Sequence, residues 1–225
     1  MKKILVIAPH PDDEILGCGA TMAKEVVLGN VVYVLICTNG YSVAPELFPV
    51  EEVVQTQREA LQAHKVLEVK DTIFLDFPAP KLDQCYQYKI SKEMNDVIQK
   101  LEIDTVYIPH RGDRHMDHTI IHDCAMVACR PLAKCPVKHV YAYETLSETE
   151  WGEPIVTNAF VPTKFNTFSK DEFAKKLEAI KCYTTQLRVF PSSRSLETIE
   201  ALAIFRGTTV SAHRAEAFEV LRDID

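Results

Sequence analysis

Short apolar runs alternate with segments of helical apolar spacing along the first half of the chain. The apolar runs have the length of strands, and they are KILVIA, VVYVLICTNG, DTIFLDFP and DTVYIPH. The segments between them have the spacing of an apolar helix face, as in EILGCGATMAKEVVLGN, EEVVQTQREALQAHKVLEV and SKEMNDVIQKLEI. This β-α-β-α order predicts an α/β fold with a mostly parallel, Rossmann-like sheet, right-handed crossovers and helices on both faces.

The second half of the chain is less regular. VKHVYAYE is typical of a strand, while NTFSKDEFAKKLEAIKCYTTQ and SLETIEALAIFRGTTV are typical of helices, the first of them capped. The spacing of apolar residues in the final segment AEAFEVLR does not decide whether it is a strand or a helix. Because no repeat, low-complexity stretch or Gly/Ser linker interrupts the sequence, we predict a single domain over residues 1–225.

The two densest polar clusters of the sequence follow predicted strands. PHPDDE comes after the first strand and PHRGDRHMDH after the fourth. Sheets of this kind bind ligands beyond the carboxyl ends of their strands. We therefore expect both clusters to lie at the same rim of the sheet.

Composition and charge narrow the class of ligand. Apolar residues make up 47% of the chain and charged residues 25%, and the formal net charge is -7. Such a chain has no basic excess to neutralise phosphates, so we expect a small-molecule ligand and neither nucleic acid nor an anionic membrane as partner. The apolar runs are too short to span a membrane, and acids interrupt the N-terminus before a signal-peptide core, so we expect a cytoplasmic protein.

The cysteines and the isolated histidines predict no further site. The seven cysteines include no CxxC pair, which indicates reduced and mostly buried thiols. His64, His139 and His213 have no motif around them, so each is expected at the surface.

The acids of the first cluster require a positive charge. Three adjacent acids follow His10 and Pro11 and repel one another unless a cation or a helix terminus compensates them. His10 and Asp13 are three residues apart at a strand-to-helix junction, so both side chains are able to reach one position above the sheet edge. Hydrolytic zinc sites take three ligands from His, Asp and Glu, and the third is expected from His115 or His118 of the second cluster. Spacing alone does not choose between them.

A divalent cation at this position predicts amide hydrolysis. It lowers the pKa of bound water and polarises a carbonyl oxygen. Asp12, beside the ligand Asp13, is then the expected general base. A charged histidine of the second cluster, oriented by Asp117, is expected to stabilise the oxyanion and protonate the leaving amine.

The two clusters in this order resemble a known family. HPDDE after the first strand with HMDH after a later one is similar to the PIG-L/LmbE-like family of zinc-dependent N-acetylglucosaminyl deacetylases. QREALQAHKVLEV and RAEAFEVLR resemble further family segments, so the resemblance covers nearly the whole chain. It implies that His10, Asp13 and His118 are the zinc ligands.

The same resemblance implies the remaining roles and the substrate. Asp12 is the implied general base, His115 the electrophilic or acid histidine with Asp117 as its partner, and Arg58 the arginine that holds the sugar. The implied substrate is an N-acetylated sugar or sugar conjugate, and the implied assembly is a homo-oligomer, a trimer or hexamer. Zinc is the expected metal, although two histidines and an aspartate also accept iron(II) or cobalt(II).

Other interpretations remain open. In a noncatalytic Rossmann-like binding module the acids of PHPDDE would only interact with the helix dipole, by about 0.3–1 kcal/mol each. A metal-dependent hydrolase of another amide or an ester would use the same metal, whereas a phosphoesterase often needs a second metal and more carboxylates. Arg188, Arg194 and Arg206 have no assigned role, since each is able to serve a substrate phosphate or a subunit interface.

Overall fold

The structure is a computed structural model that describes residues 1–39 and 49–225. Its strands are β1 (Lys3–Ala8), β2 (Val31–Asn39), β3 (Asp71–Pro78), β4 (Thr105–Pro109), β5 (His139–Tyr143), β6 (Lys164–Thr167) and β7 (Ala215–Arg222). Its helices are α1 (Asp13–Val27), α2 (Val50–Val66), α3 (Gln87–Leu101), α4 (Met116–Ala128), α5 (Lys170–Lys181) and α6 (Leu196–Thr208). Gly40, at the end of the predicted turn after β2, lies outside the described residues.

All of these strands belong to one sheet, in the order β3-β2-β1-β4-β5-β7-β6. The first five strands along the chain pair in parallel. β7 pairs antiparallel with both β5 and β6. The structure therefore confirms the predicted α/β fold with a mostly parallel sheet.

Strand β1 explains why helices cover both faces of the sheet. Successive side chains of a strand point to opposite faces. Ile4 and Val6 pack with the helices α1, α2, α5 and α6, while Leu5 and Ile7 pack with α3 and α4. A strand that is buried on both faces of a sheet has a nearly continuous apolar sequence, and KILVIA has this pattern.

The order in which successive strands join the sheet reverses at β1. β2 and β3 lie on one side of β1, and β4 and β5 lie on the other. Such a reversal opens a crevice at the carboxyl ends of the two central strands. The loops after β1 and β4 meet in this crevice, since His10 Nε2 lies 3.1 Å from Asp117 Oδ2. The prediction that both polar clusters share one rim is confirmed.

Several local expectations are refined. α3 begins at Gln87, upstream of the predicted SKEM start, and AEAFEVLR is the strand β7. The predicted capped helix begins at Lys170 with a capping box on Ser169, while its upstream residues Asn166 and Thr167 end the strand β6. Thr167 therefore lies outside the helix that its segment predicts.

The prediction that His64 lies at the surface is wrong. Only 2% of His64 is exposed, because α2 packs it against the sheet and against Glu14.

Among residues 1–39 and 49–225, the structure contains no helix with the length and apolar character needed to cross a membrane.

Candidate metal centre and active site

Three predicted ligands converge at the crevice. His10 follows β1, Asp13 begins α1, and His118 lies in the first turn of α4. Their ligand atoms all lie within 4.8 Å of one another. Asp13 Oδ2 is 3.4 Å from His10 Nδ1 and 3.2 Å from His118 Nε2. Asp13 and His118 are buried, whereas His10 is partly exposed to the cavity.

This donor set fits a divalent cation. Two imidazoles and one carboxylate match catalytic zinc, which takes three protein ligands and keeps one position open. His118 Nε2 is buried and, although it lies 3.2 Å from Asp13 Oδ2, it makes no hydrogen bond of good geometry with the described residues. A buried polar atom of this kind is costly unless something binds it. A cation bound by these atoms would remove that cost and compensate the acids of PHPDDE.

A carboxylate outside the donor set contacts each histidine. Asp117 Oδ2 lies 3.1 Å from His10 Nε2, and Asp113 Oδ2 lies 2.8 Å from His118 Nδ1. Thr149 Oγ1 donates a hydrogen bond of 2.6 Å to Asp113 Oδ1. Such carboxylates orient the ring and direct the other ring nitrogen toward the metal. Here those other nitrogens, His10 Nδ1 and His118 Nε2, face Asp13.

Asp12 is buried beside the donor set and lines a cavity. Its Oδ2 lies 3.2 Å from Arg194 Nη1. Burial raises the pKa of Asp12 to about 8, Arg194 acts in the opposite direction, and the neighbouring acids Asp13 and Glu14 raise it further. A carboxyl whose pKa lies near neutrality is suited to exchange a proton with a reacting group.

His115 differs from its predicted charge state. Its Nδ1 accepts a hydrogen bond of 3.1 Å from the backbone N–H of Asp117, so a neutral ring carries its proton on Nε2. Burial, followed by the nearby His10, lowers the pKa of His115 to about 4. The side chain of Asp117 lies 3.9 Å from His115 and serves His10 instead. The structure therefore presents His115 as a neutral hydrogen-bond donor.

The cavity next to Asp12 has a volume of about 620 Å³. His10, Asp12, His115, Glu148 and Arg194 are among the residues that line it. Further lining residues come from the end of β2, from α2, from the turn after β3 and from the chain after α5, among them Asn39, Gln57, Pro80, Thr184 and Arg188.

The predicted arginines have different positions. Arg58 is exposed on α2 and is not among the described residues that line the cavity, so its contact with a sugar stays a prediction. Arg194 donates hydrogen bonds to Ser147 and Gln186, which direct it toward Asp12. Arg206 pairs with Glu144 outside this cavity.

Sequence reasoning missed Asp113, Glu148 and Thr149. Asp113 lies inside the second polar cluster, so its signal was present but had no assigned partner. Glu148 lines the cavity, and burial raises its pKa. Thr149 is recognisable only through its contact with Asp113 in the folded chain.

Sequence comparisons place these residues in a family. The model for PIG-L, described as GlcNAc-PI de-N-acetylase, matches residues 5–129, which include both polar clusters. The chain is 31% identical over 185 residues to the uncharacterized deacetylase YaiS of Escherichia coli K12, which covers 80% of this chain and 89% of YaiS. It is 32% identical over 125 residues to a diacetylchitobiose deacetylase of Thermococcus kodakarensis, which covers 52% of this chain and 45% of that protein.

Solved structures share the fold. The N,N'-diacetylchitobiose deacetylase of Pyrococcus horikoshii has a TM-score of 0.78 and 21% identity, over 98% of this chain and 84% of that chain. GalB of Pseudomonas putida, a 4-carboxy-2-hydroxymuconate hydratase, has a TM-score of 0.76 and 18% identity, over 100% of this chain and 98% of that chain. The same fold thus occurs with different reactions, so the family assignment rests on the sequence matches. By those matches, the chain belongs to the PIG-L family of deacetylases.

Proposed function

We propose that the protein is a divalent-metal-dependent hydrolase that removes the N-acetyl group of an N-acetylated sugar or sugar conjugate. The observation that carries the proposal is the set of the partly exposed His10 with the buried Asp13 and His118, next to Asp12, which lines a cavity together with His10. The family description GlcNAc-PI de-N-acetylase supports an N-acetyl sugar as the substrate class.

Zinc is the metal that this donor set favours, held by His10, Asp13 and His118, and iron(II) and cobalt(II) are the alternatives. A bound zinc ion would act as a Lewis acid toward the acetyl carbonyl and lower the pKa of a water molecule in the same site.

Asp12 and His115 are the groups proposed to act on the reacting atoms. Asp12 takes a proton from the attacking water and then gives it to the nitrogen of the breaking amide bond, so the products are acetate and a free amine. His115 donates a hydrogen bond from Nε2 to the oxygen of the acetyl carbonyl as negative charge develops there. Of the two roles that the resemblance implies for His115, electrophile and acid, the proposal takes the electrophilic one, which the hydrogen bond accepted by Nδ1 supports.

Four further proposals rest on the family resemblance and the sequence. They are the substrate beyond the acetyl group, the assembly into trimers or hexamers, the cytoplasmic location and the substrate contact of Arg58. The cavity has room for more than an acetyl group, since it extends from Asp12 to Arg188. A conjugate or a disaccharide is therefore the proposed form of the substrate.

The proposal is tested by the release of acetate and amine from N-acetylglucosamine, N,N'-diacetylchitobiose and a nucleotide-linked N-acetyl sugar. We expect zinc-loaded protein to release equal amounts of acetate and amine from at least one of them, and chelator-treated protein to release neither. A simple acetate ester and 4-carboxy-2-hydroxymuconate serve as substrates of the rival activities. Turnover of either of these with no amine release from any N-acetyl sugar would overturn the proposal.

A further inference from the structure

A buried hydrogen-bond network lies behind Asp12, and the proposed reaction does not use it. Its centre is Glu14, which is 0% exposed and lies outside the donor set of the metal. Glu14 Oε2 accepts a hydrogen bond of 3.1 Å from the backbone N–H of Asp12. Glu14 Oε1 accepts one of 2.6 Å from the hydroxyl of Tyr183 and lies 3.1 Å from His64 Nε2.

The partners of Glu14 come from distant parts of the chain. His64 lies near the end of α2, and Tyr183 follows α5. His64 Nδ1 lies 2.8 Å from Thr72 Oγ1 in β3, which fixes the ring from its other side. His64 and Tyr183 are 2% and 0% exposed, so both are held by packing as well as by hydrogen bonds. Glu14 therefore has a fixed position between two rigid donors.

The backbone of Asp12 needs this support. Asp12 has φ 106 and ψ -28, which is a costly conformation for a residue with a Cβ atom. Its carbonyl accepts hydrogen bonds from the N–H groups of Ile15 and Leu16, as the first turn of α1 requires. Its own N–H donates to Glu14 and also interacts with the hydroxyl of Tyr183. A strained conformation persists only where several contacts define it, and Glu14 together with Tyr183 supplies the contacts on the N–H side.

We infer that His64 and Tyr183 are positioning residues of the deacetylation, which act through Glu14 to hold the backbone of Asp12 in the conformation that directs its carboxylate to the reacting water. The inference rests on the proposed role of Asp12 as general base. Neither residue lines the cavity beside Asp12, so an effect on substrate binding is not expected. A shift of a reacting group by about 1 Å is enough to slow an enzyme by about a hundredfold.

Tyr183→Phe and His64→Leu test the inference, because each removes donors to Glu14. Tyr143→Phe is the matched control: its hydroxyl is equally buried and donates a hydrogen bond of 2.9 Å to the carbonyl of Ile7, with no contact to Glu14. For each zinc-loaded protein we would measure kcat and KM for the best N-acetyl sugar, bound zinc, and the amide proton shift and hydrogen exchange of ¹⁵N-labelled Asp12.

We expect kcat of Tyr183→Phe and of His64→Leu to fall by about tenfold or more while KM and bound zinc stay at wild-type values. We also expect the Asp12 amide proton to move upfield and to exchange faster in both variants. Tyr143→Phe should keep the kcat and the Asp12 amide resonance of the wild type. Reintroducing a donor at position 64 with His64→Gln should restore part of kcat, because a merely structural defect would not be rescued by a hydrogen-bond donor.

Three results would overturn the inference: an unchanged Asp12 amide resonance in both variants, an unchanged kcat, or a loss of kcat that follows a loss of zinc. If the wild-type protein releases acetate from no N-acetyl sugar, the proposed function fails. The Asp12 amide resonance still decides then whether the network holds this backbone, so the two failures are distinguishable.

Discussion

Each histidine of the donor set has a carboxylate from outside the set next to one of its ring nitrogens. The two carboxylate oxygens of Asp113 hydrogen-bond to His118 and Thr149, and one carboxylate oxygen of Asp117 hydrogen-bonds to His10. A hydrogen bond of this kind fixes the ring orientation and raises the basicity of the ligand nitrogen. The geometry of the site at the residue scale therefore depends on carboxylates outside the proposed donor set.

Asp113→Asn is predicted to weaken zinc binding by about 10–100-fold, since His118 loses its charged partner. Competition with a chromophoric chelator measures the affinity. Asp123→Asn is the matched control, because Asp123 lies on α4 like His118 but pairs with the exposed Arg111. Equal zinc affinities for Asp113→Asn and the control would contradict the assigned role of Asp113.

Arg194→Gln is predicted to move the acid limb of the pH profile of kcat/KM upward by about 1 unit or more. Arg194 lowers the pKa of Asp12 against the effect of burial, so its removal raises that pKa. Because Asp12 must be ionised to accept a proton, activity then appears at higher pH than in the wild type. Arg188→Gln should leave this limb in place, since Arg188 hydrogen-bonds the backbone at Thr185 and Leu187. An unchanged limb in Arg194→Gln would contradict the account.

Site residues that lie in a short local motif can be predicted from the sequence. Contacts between residues that are far apart in the chain cannot. His10, Asp13 and His118 belong to two short clusters, and the fold argument alone predicts that these meet. Tyr183 reaches Glu14 across 169 positions of sequence. No local pattern marks such a pair, because the contact exists only after α5 has packed against α1.

Helix α1 carries the first polar cluster, and its position is fixed by close packing at Gly17. A Cβ atom at Gly17 would lie 2.2 Å from Cδ2 of Tyr143, whose ring is fully buried. The hydroxyl of Tyr143 is tied to the carbonyl of Ile7, so the ring has little freedom to move away. The absence of a side chain at Gly17 therefore allows α1 to pack closely against β5 at this position.

Gly17→Ala is predicted to reduce the free energy of unfolding by about 1–3 kcal/mol through overpacking. Urea unfolding of the zinc-free protein measures the loss. The double variant Gly17→Ala with Tyr143→Leu should lose less unfolding free energy than the two single variants lose when added together, because the smaller side chain relieves the contact. Additive losses would show that the two residues are not coupled.

The elements differ in how well the sequence predicts them. β1 is a continuous apolar run and α5 begins with a capping box, so both have strong local signals. β6 has four residues, none of them buried, and β7 is exposed toward its end. The edge strand β6 and its neighbour β7 are defined by antiparallel pairing, which no period in the sequence reports.

Across the whole molecule, the donor set joins two separate parts of the chain. His10 and Asp13 lie at the junction of β1 and α1, whereas His118 lies in α4 on the opposite face of the sheet. A metal bound to all three links these parts in the folded state only. Its binding free energy therefore adds to the stability of the fold.

Zinc is predicted to raise the melting temperature by about 5–10 °C at a concentration of about 100 times its Kd, since this corresponds to about 2.7 kcal/mol. Scanning calorimetry with and without a chelator measures the shift. His118→Ala should show no zinc-dependent shift. His122→Ala removes a histidine of the same helix whose Nδ1 lies 2.8 Å from the carbonyl oxygen of Pro109, and it should keep the shift. Equal shifts in both variants would contradict the donor set.

The central claim is that His10, Asp13 and His118 hold the metal while Asp12 acts on the water. The most direct test measures bound zinc and acetate release in the same preparations of wild type, Asp12→Asn and His118→Ala. The account predicts that Asp12→Asn binds zinc like the wild type but releases acetate at least about a hundredfold more slowly, and that His118→Ala does neither. Full activity of Asp12→Asn, or zinc and activity retained in His118→Ala, would contradict it.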